Sequence, residues 1–235
     1  MPQAPAPRVW GLVPAAGIGS RMGVERPKQY LELAGRTLLE HTLERLAGQP
    51  EIHAVLPIIR EDDPYWPGLR ERLSHLDRLL PAAPGGAERS DSVAAGLAAL
   101  TECGDRDLVL IHDAVRPCVR SEEITAAVQA AREGSGVILA VPVADTLKRV
   151  SADGWIEATV DRSGLWRAQT PQIFPAGQLR AAVAAARERG DPATDEAKVM
   201  EDAGFPVRVV PGREDNLKVT RPEDLELAGL YLGGG

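Results

Sequence analysis

Gly17 and Gly19 stand in a run of small residues, Pro14-Ala15-Ala16-Gly17-Ile18-Gly19-Ser20-Arg21-Met22-Gly23, and the fixed cations Arg21 and Lys28 lie at its end and close behind it. A turn of small side chains lets backbone N–H groups come close to an anion. Two common phosphate motifs fail on spacing. A P-loop needs Gly-Lys-Ser/Thr where Met22 and Gly23 stand, and a dinucleotide fingerprint needs Gly or Ala at position 22. Alone, the turn reads equally well as a tight strand-to-helix connection with no ligand, and each cation as an ordinary surface charge. Their combination is more specific. Pro27 stiffens the approach to Lys28, and two cations on one Gly-rich loop suit a polyphosphate whose transfer puts further negative charge on the phosphoryl oxygens. Asp113 closes the apolar run LVLIH at 108–112, which predicts a carboxylate at the carboxyl end of a buried strand, facing the ligand crevice and suited to a hard cation such as Mg²⁺. The same Asp-Ala step could simply end a strand or cap a helix.

The elements that must position these residues are legible as alternating patterns. Apolar, β-branched runs at 9–14, 54–59, 108–114, 136–143 and 206–212 predict strands. Helical patterns occupy 38–47, 91–100, 122–132, 176–189 and 221–232, with start signals at Ser121 before Glu122 and Glu123, and at Thr220 with Glu223 as a capping box. This alternation predicts an α/β fold, a Rossmann-like mostly parallel sheet with helices on both faces. One stretch breaks it. Residues 143–169 are polar and alternating, with a turn signal at Asp153-Gly154, and predict a β-arm inserted in a single domain spanning 1–235. The arm would expose Leu147, Val150, Trp155, Ile156, Val160, Leu165 and Trp166, too much apolar surface for a lone ribbon. A partner subunit would cover it; a flap folded back on its own domain is the alternative.

Composition narrows the partners. The 235 residues carry a net charge of -7, which argues against a nucleic-acid or anionic-membrane surface, so any phosphate site must be local. Cys103 and Cys118 form no CxxC motif, and the default is a reducing cytoplasm. No apolar run approaches a membrane span, and MPQAPAPRVWGL lacks the apolar core of a signal peptide.

Seven separate motifs carry a family resemblance. GLVPAAGIGSRMG followed by RPKQYLELAGRTLLEHTL, then GGAERSDSVAAGL, HDAVRPCV, VPVADTLK, DRSGLWRAQTPQIF, TDEAKVMEDAG and DNLKVTRPEDL resemble, in order and spacing, the 2-C-methyl-D-erythritol 4-phosphate cytidylyltransferases of the non-mevalonate isoprenoid pathway. The resemblance implies transfer of CMP from CTP to that polyol phosphate, with pyrophosphate released and Mg²⁺ or another divalent cation as cofactor. It implies that Ala15, Ala16, Gly17 and Gly19 hold the triphosphate, that Arg21 and Lys28 stabilise the transition state, and that Gly86, Ser92 and Ala114 contact the nucleotide. Asp113 would serve metal and substrate hydroxyls with Arg116 close by, while His112 reads as a mere neighbour. Arg162 and Thr170 match positions reaching the polyol phosphate in a neighbouring subunit's site, and Lys218 and Thr194 match further substrate contacts. Asp215 is a weaker candidate beside the metal. The segment departs from the family at Ala87, where an acidic residue often stands, so no role is given to that side chain.

Composition predicts a cytoplasmic protein with no nucleic acid or membrane partner, and the apolar arm together with the resemblance predicts a homodimer joined through that arm. Some relatives are fused to a second enzyme of the pathway; this chain ends soon after its last helix, which predicts the transferase alone. A ribitol 5-phosphate cytidylyltransferase shares the loop and the cytosine-selective design, and a silent CTP-binding regulator would keep binding without turnover. Both readings stay open at the level of sequence.

Overall fold

The computed structural model describes residues 6–17, 26–86, 88–190 and 195–233. The predicted runs become the strands β1 (Val9–Pro14), β4 (Ile52–Ile59), β6 (Leu108–Ile111), β7 (Gly136–Pro142) and β11 (Val207–Pro211), and the predicted helical patterns become α1 (Leu38–Ala47), α3 (Arg89–Ala99), α4 (Ser121–Ala131), α5 (Ala176–Arg189) and α7 (Pro222–Gly233). Further elements are the short hairpin of β2 (Glu32–Leu33) and β3 (Arg36–Thr37), α2 (Trp66–Arg72), β5 (Ala83–Pro84), β8 (Leu147–Val150), β9 (Ile156–Val160), β10 (Trp166–Pro175) and α6 (Glu196–Asp202).

Seven strands form one sheet in the order β11-β7-β10-β6-β1-β4-β5. All run parallel except β10, which is antiparallel to both β6 and β7. The central strands read as continuous apolar runs because both faces are covered. On one face Leu39, Leu43 and Leu46 of α1 and Ile124, Ala127 and Val128 of α4 pack on Val9, Val13 and Leu110. On the other, Val93 and Leu97 of α3 and Leu179 and Ala182 of α5 pack on Leu12, Ile58 and Val109. The mostly parallel α/β sheet with helices on both faces is therefore the observed architecture.

Two start signals work differently from expectation. Ser121 is the first residue of α4; its hydroxyl accepts from Gln49 Nε2 at 3.0 Å, while Glu123 reaches back to the Arg120 N–H at 2.9 Å. At α7 it is Asp224, not Glu223, that accepts from the N–H groups of Thr220 and Arg221, at 2.8 and 2.9 Å.

Of residues 143–169, the stretch of β8 and β9 forms a separate two-stranded ribbon, whereas Trp166–Gln169, which the predicted arm included, belong to β10 of the main sheet. β8 and β9 pair antiparallel only with each other, and Trp155, Ile156 and Val150 are exposed. The ribbon returns through Trp166–Ala168, which pair with β7, and β10 then slips register between Ala168 and Gln172 before pairing with β6. That irregularity takes Gln169 and Thr170 out of the ladder and lets them bond elsewhere.

Candidate active site

At the end of β1 the chain still follows β4, with the Ala15 N–H donating to the Ile58 carbonyl at 2.8 Å. A short 3₁₀ turn at Lys28–Tyr30 then anchors the small-residue loop. Tyr30 is buried in the core, and its neighbour Gln29 donates through Nε2 to the carbonyls of Ala15 and Gly17, at 2.7 and 2.9 Å. Burying Tyr30 fixes the turn, and the turn aims Lys28 into a crevice of about 220 Å³ lined also by Ala15, Ala16 and Gly17. The Lys28 ammonium donates to the Thr220 carbonyl at 3.4 Å. Among the described residues, no atom lies within 4 Å of a methyl group placed on Gly17.

The opposite wall is the start of α3. Ser92 is buried; its hydroxyl accepts from the Gly86 N–H at 3.2 Å and donates to the Glu88 carbonyl at 3.2 Å. It sits inside the helix and is not an N-cap. A side chain at Gly85 would collide with the Ala16 methyl and lie 2.9 Å from Ser92 Oγ, so the glycine pair lets two loops approach and leaves a narrow slot. Ala114 lines the same crevice, with its carbonyl taken by Thr42 Oγ1 at 3.1 Å.

Asp113 lies at the carboxyl end of β6, inside this crevice, and three cations converge on its carboxylate. Lys218 Nζ and Arg116 Nε lie 3.0 and 3.3 Å from Oδ2, and Arg89 Nη2 lies 3.6 Å from Oδ1. Burial alone would raise the Asp113 carboxyl, but Arg89, Lys218 and Arg116 outweigh it and hold it well below the usual range. Arg89 also pairs with Glu196 of α6, whose carboxyl burial pushes upward while Arg89 draws it back in part. Arg89 thus bridges two buried carboxylates.

Behind Asp113 the polar groups form a web, in which Asn216 Oδ1 and Gln169 Oε1 are buried without a hydrogen-bond partner among the described residues. Arg116 donates through Nη1 to the Asn216 carbonyl at 2.7 Å, and Asn216 Nδ2 donates to the Thr170 carbonyl at 2.9 Å. The Asp113 N–H donates to Thr170 Oγ1 at 3.0 Å, and His112 bonds both Thr170 and the Arg116 carbonyl. Burial lowers the His112 pKa to about 4, so the ring is neutral. This web joins β6, β10 and the 213–218 loop that presents Lys218.

Lys28, Ala15, Ala16, Gly17, Gly86, Ser92, Asp113, Ala114 and Lys218 therefore share one crevice, with Arg116 directly behind it and so too Thr170, expected to serve a neighbouring subunit's site but bonded instead to Asp113 of its own chain. Arg162 is not brought there: it follows β9 in the arm and its guanidinium donates to the Ala144 carbonyl. Gly19, Arg21, Ala87 and Thr194 lie outside the described residues. Asp215 departs from the expected place beside a metal, because Arg213 and Arg120 hold its carboxylate at 3.1 and 2.6 Å and it does not line the crevice. Sequence reasoning missed Gln29, Gly85, Arg89 and Glu196; all four lie within quoted motifs, but their roles depend on partners far along the chain.

As a metal centre the site is sparse. Among the described residues no group of three His, Cys, Asp or Glu side chains could hold an ion. One ionised carboxylate, with Oδ1 only loosely engaged by Arg89, fits a divalent cation carried in on phosphate oxygens.

A family model described as IspD, 2-C-methyl-D-erythritol 4-phosphate cytidylyltransferase, matches residues 9–234. Curated proteins of that name from Pseudomonas putida and Photobacterium profundum are each 50% identical to the chain, covering 94% of it and 94% of their own length. A crystal structure of 4-diphosphocytidyl-2C-methyl-D-erythritol synthase is similar at a TM-score of 0.84 and 36% identity, covering 96% of this chain and 99% of that one. The corresponding structure from Thermus thermophilus gives 0.77 and 32%, covering 94% and 98%.

Proposed function

The chain belongs to the 2-C-methyl-D-erythritol 4-phosphate cytidylyltransferase family, and on that premise we propose how its crevice carries out the family's reaction. The enzyme transfers CMP from CTP to 2-C-methyl-D-erythritol 4-phosphate, giving 4-diphosphocytidyl-2-C-methyl-D-erythritol and pyrophosphate, a step of isoprenoid precursor biosynthesis. The residue assignment rests on one observation above all, the ionised Asp113 held among Lys218, Arg116 and Arg89 on the floor of the crevice that the Gly17 turn enters.

CTP binds with its triphosphate along Ala15, Ala16 and Gly17, with Gly19 and Arg21 continuing the loop. Its cytosine enters the slot walled by Gly86 and Ser92, which the bond from the Gly86 N–H to Ser92 Oγ holds together, and Ala114 lines the way between them. The polyol phosphate lies over Asp113, which accepts from its hydroxyls, with Lys218, Arg116, Thr170 and Thr194 around it. A phosphate oxygen of the acceptor attacks the α-phosphorus in line; the bond from the α-phosphorus to the α,β-bridging oxygen breaks, and pyrophosphate leaves with that electron pair. The attacking oxygen is already anionic, so no general base is needed. The protein aligns the two anions and offsets their repulsion, the work of Lys218, Arg116 and, from a partner's arm, Arg162; Lys28 and Arg21 stabilise charge at the α-phosphoryl group. A divalent cation, Mg²⁺ in this reading, would be held by the triphosphate and Asp113, where it neutralises phosphate charge.

The working unit is a single nucleotidyltransferase domain over 1–235 with the 143–169 arm inserted, and a homodimer joined through that arm. The exposed Trp155 and Ile156 support the dimer. The enzyme works in the cytoplasm on small-molecule substrates, in keeping with its unpaired Cys103 and Cys118.

Steady-state kinetics of two lysine variants test the assignment. Lys28→Ala should lower kcat about a hundredfold, roughly 3 kcal/mol of transition-state stabilisation, with little change in either KM. Lys218→Ala should instead raise KM for the polyol phosphate and spare KM for CTP. Undiminished turnover in Lys28→Ala, or a CTP-selective defect in Lys218→Ala, would remove those roles.

A further inference from the structure

His112 is fully buried, one residue before Asp113, and the reaction as derived makes no use of it. Its Nε2 lies 3.0 Å from the Arg116 carbonyl oxygen and its Nδ1 lies 2.9 Å from Thr170 Oγ1. A carbonyl can only accept, so in the neutral ring Nε2 carries the proton and Nδ1 is the acceptor; these partners assign the tautomer. The Thr170 hydroxyl must then donate to Nδ1, and the same oxygen accepts from the Asp113 N–H at 3.0 Å. Its single proton is committed. Thr170 can therefore offer a substrate hydroxyl an acceptor, not a donor.

We propose that His112 is a positioning residue for cytidylyl transfer: its ring locks the Thr170 hydroxyl onto the Asp113 backbone and holds the 113–116 turn, so that Asp113, Arg116 and Lys218 face the acceptor as one unit. The inference rests on the assignment of those residues to the polyol phosphate. Four chain segments are joined in the web around this ring, which itself bonds Arg116 and Thr170. His112 and Asp113 end β6, Arg116 lies in the following turn, Thr170 comes from the strand that carries the arm, and Asn216, two residues before Lys218, receives Arg116 and donates to the Thr170 carbonyl. Burial requires both ring nitrogens to be satisfied, and here the partners that satisfy them, Arg116 and Thr170, are residues next to the reacting groups. Because the nucleotide is held by the Gly17 turn and the Gly86 slot, loosening the ring should spoil acceptor alignment and leave CTP binding intact.

The test is steady-state kinetics with each substrate varied, on His112→Leu, Thr170→Val, their double variant, and the rescue variants His112→Asn and Thr170→Ser, with thermal unfolding alongside. Each disruptive single variant should lower kcat/KM for the polyol phosphate by about 10- to 100-fold, the scale of a misaligned reacting geometry, with KM for CTP moved less than about threefold. The double variant should be no worse than the worse single one, since both break one link. His112→Asn, which keeps an acceptor near Nδ1, and Thr170→Ser, which keeps the hydroxyl, should recover much of the loss. Nitrogen NMR of histidine-labelled enzyme should show one ring protonated at Nε2 and bare at Nδ1, shifted by Thr170→Val. That spectrum stands even where His112→Leu fails to fold. Additive losses, a defect shared equally by CTP, or a His112 ring protonated at Nδ1 would overturn the proposal. Asp113→Asn separates the two levels: if it is inactive while a folded His112→Leu is normal, the inference alone fails; if it is fully active, the substrate assignment falls and takes the inference with it.

Discussion

At the scale of single residues the site divides into groups visible in the sequence and groups visible only in space. Gly17 and Lys28 could be picked out because small residues and fixed cations cluster along the chain, and Asp113 because it ends an apolar run, while Gly86 and Ser92 were legible only through the family resemblance. Arg116, Thr170 and Lys218 were legible through the family resemblance, since alone each is an ordinary polar residue. Gln29, Arg89 and Glu196 were not legible, because each matters through a partner brought near by folding: Gln29 through the carbonyls of Ala15 and Gly17, Arg89 and Glu196 through each other and Asp113. Gly85 was overlooked for the same reason, as its constraint is the nearness of Ala16 and Ser92. A prediction follows from that crowding. Gly85→Ala must push the Ala16 and Ser92 walls apart, so it should cost about 1 to 3 kcal/mol of stability and weaken CTP binding more than acceptor binding. Calorimetric titration of CTP together with thermal unfolding checks this, and unchanged values for both would show that the two walls are not held in contact in solution.

At the scale of elements, the strands and helices with strong periodicity were legible almost to the residue, α1 and α5 among them. The inner half of β10 was not. Its sequence QTPQIF carries a proline and two glutamines, poor strand signals, yet Ile173 and Phe174 are fully buried and it lies between β6 and β7. Tertiary pairing overrides local preference there. The short α2 and α6 were missed for lack of length. Asp107 shows how elements are fixed to one another. It leads into β6 and accepts from the N–H groups of Arg8 and Gly104 and from Trp10 Nε1, at 3.0, 3.1 and 3.0 Å, tying the start of β1 to β6. Burial would raise its carboxyl, but these donors outweigh burial and hold it below its ordinary value of 3.8. A depressed folded-state pKa means the native protein releases this proton more readily than the unfolded chain. Its stabilising contribution is therefore complete above the ordinary carboxylate range and lost as pH falls through the lowered value. Asp107→Asn should cost about 1 to 3 kcal/mol at pH 7, and the gap from wild type should close as pH falls through that value. Urea unfolding across that range gives the answer; a gap independent of pH would mean that the carboxylate charge does not matter.

At the scale of the whole molecule, the sheet brings residues from both ends of the chain to one crevice, while the arm carries Arg162 elsewhere. An arm with exposed Trp155, Ile156 and Trp166 makes sense when a second copy covers it and receives Arg162. Mixing two inactive variants, Arg162→Ala and Asp113→Asn, tests this sharing. Random assortment makes half of the dimers mixed, each with one intact site, so activity should return to about a quarter of wild type. No recovery, with exchange of subunits verified, would mean that Arg162 serves its own chain or no site.

The most direct test of the central claim is pyrophosphate release by the purified protein with Mg²⁺ and CTP, comparing 2-C-methyl-D-erythritol 4-phosphate, ribitol 5-phosphate and no acceptor, and ATP, GTP and UTP in place of CTP. The account predicts release that requires both CTP and 2-C-methyl-D-erythritol 4-phosphate. Preference for ribitol 5-phosphate, or CTP binding without turnover on any acceptor, would contradict it.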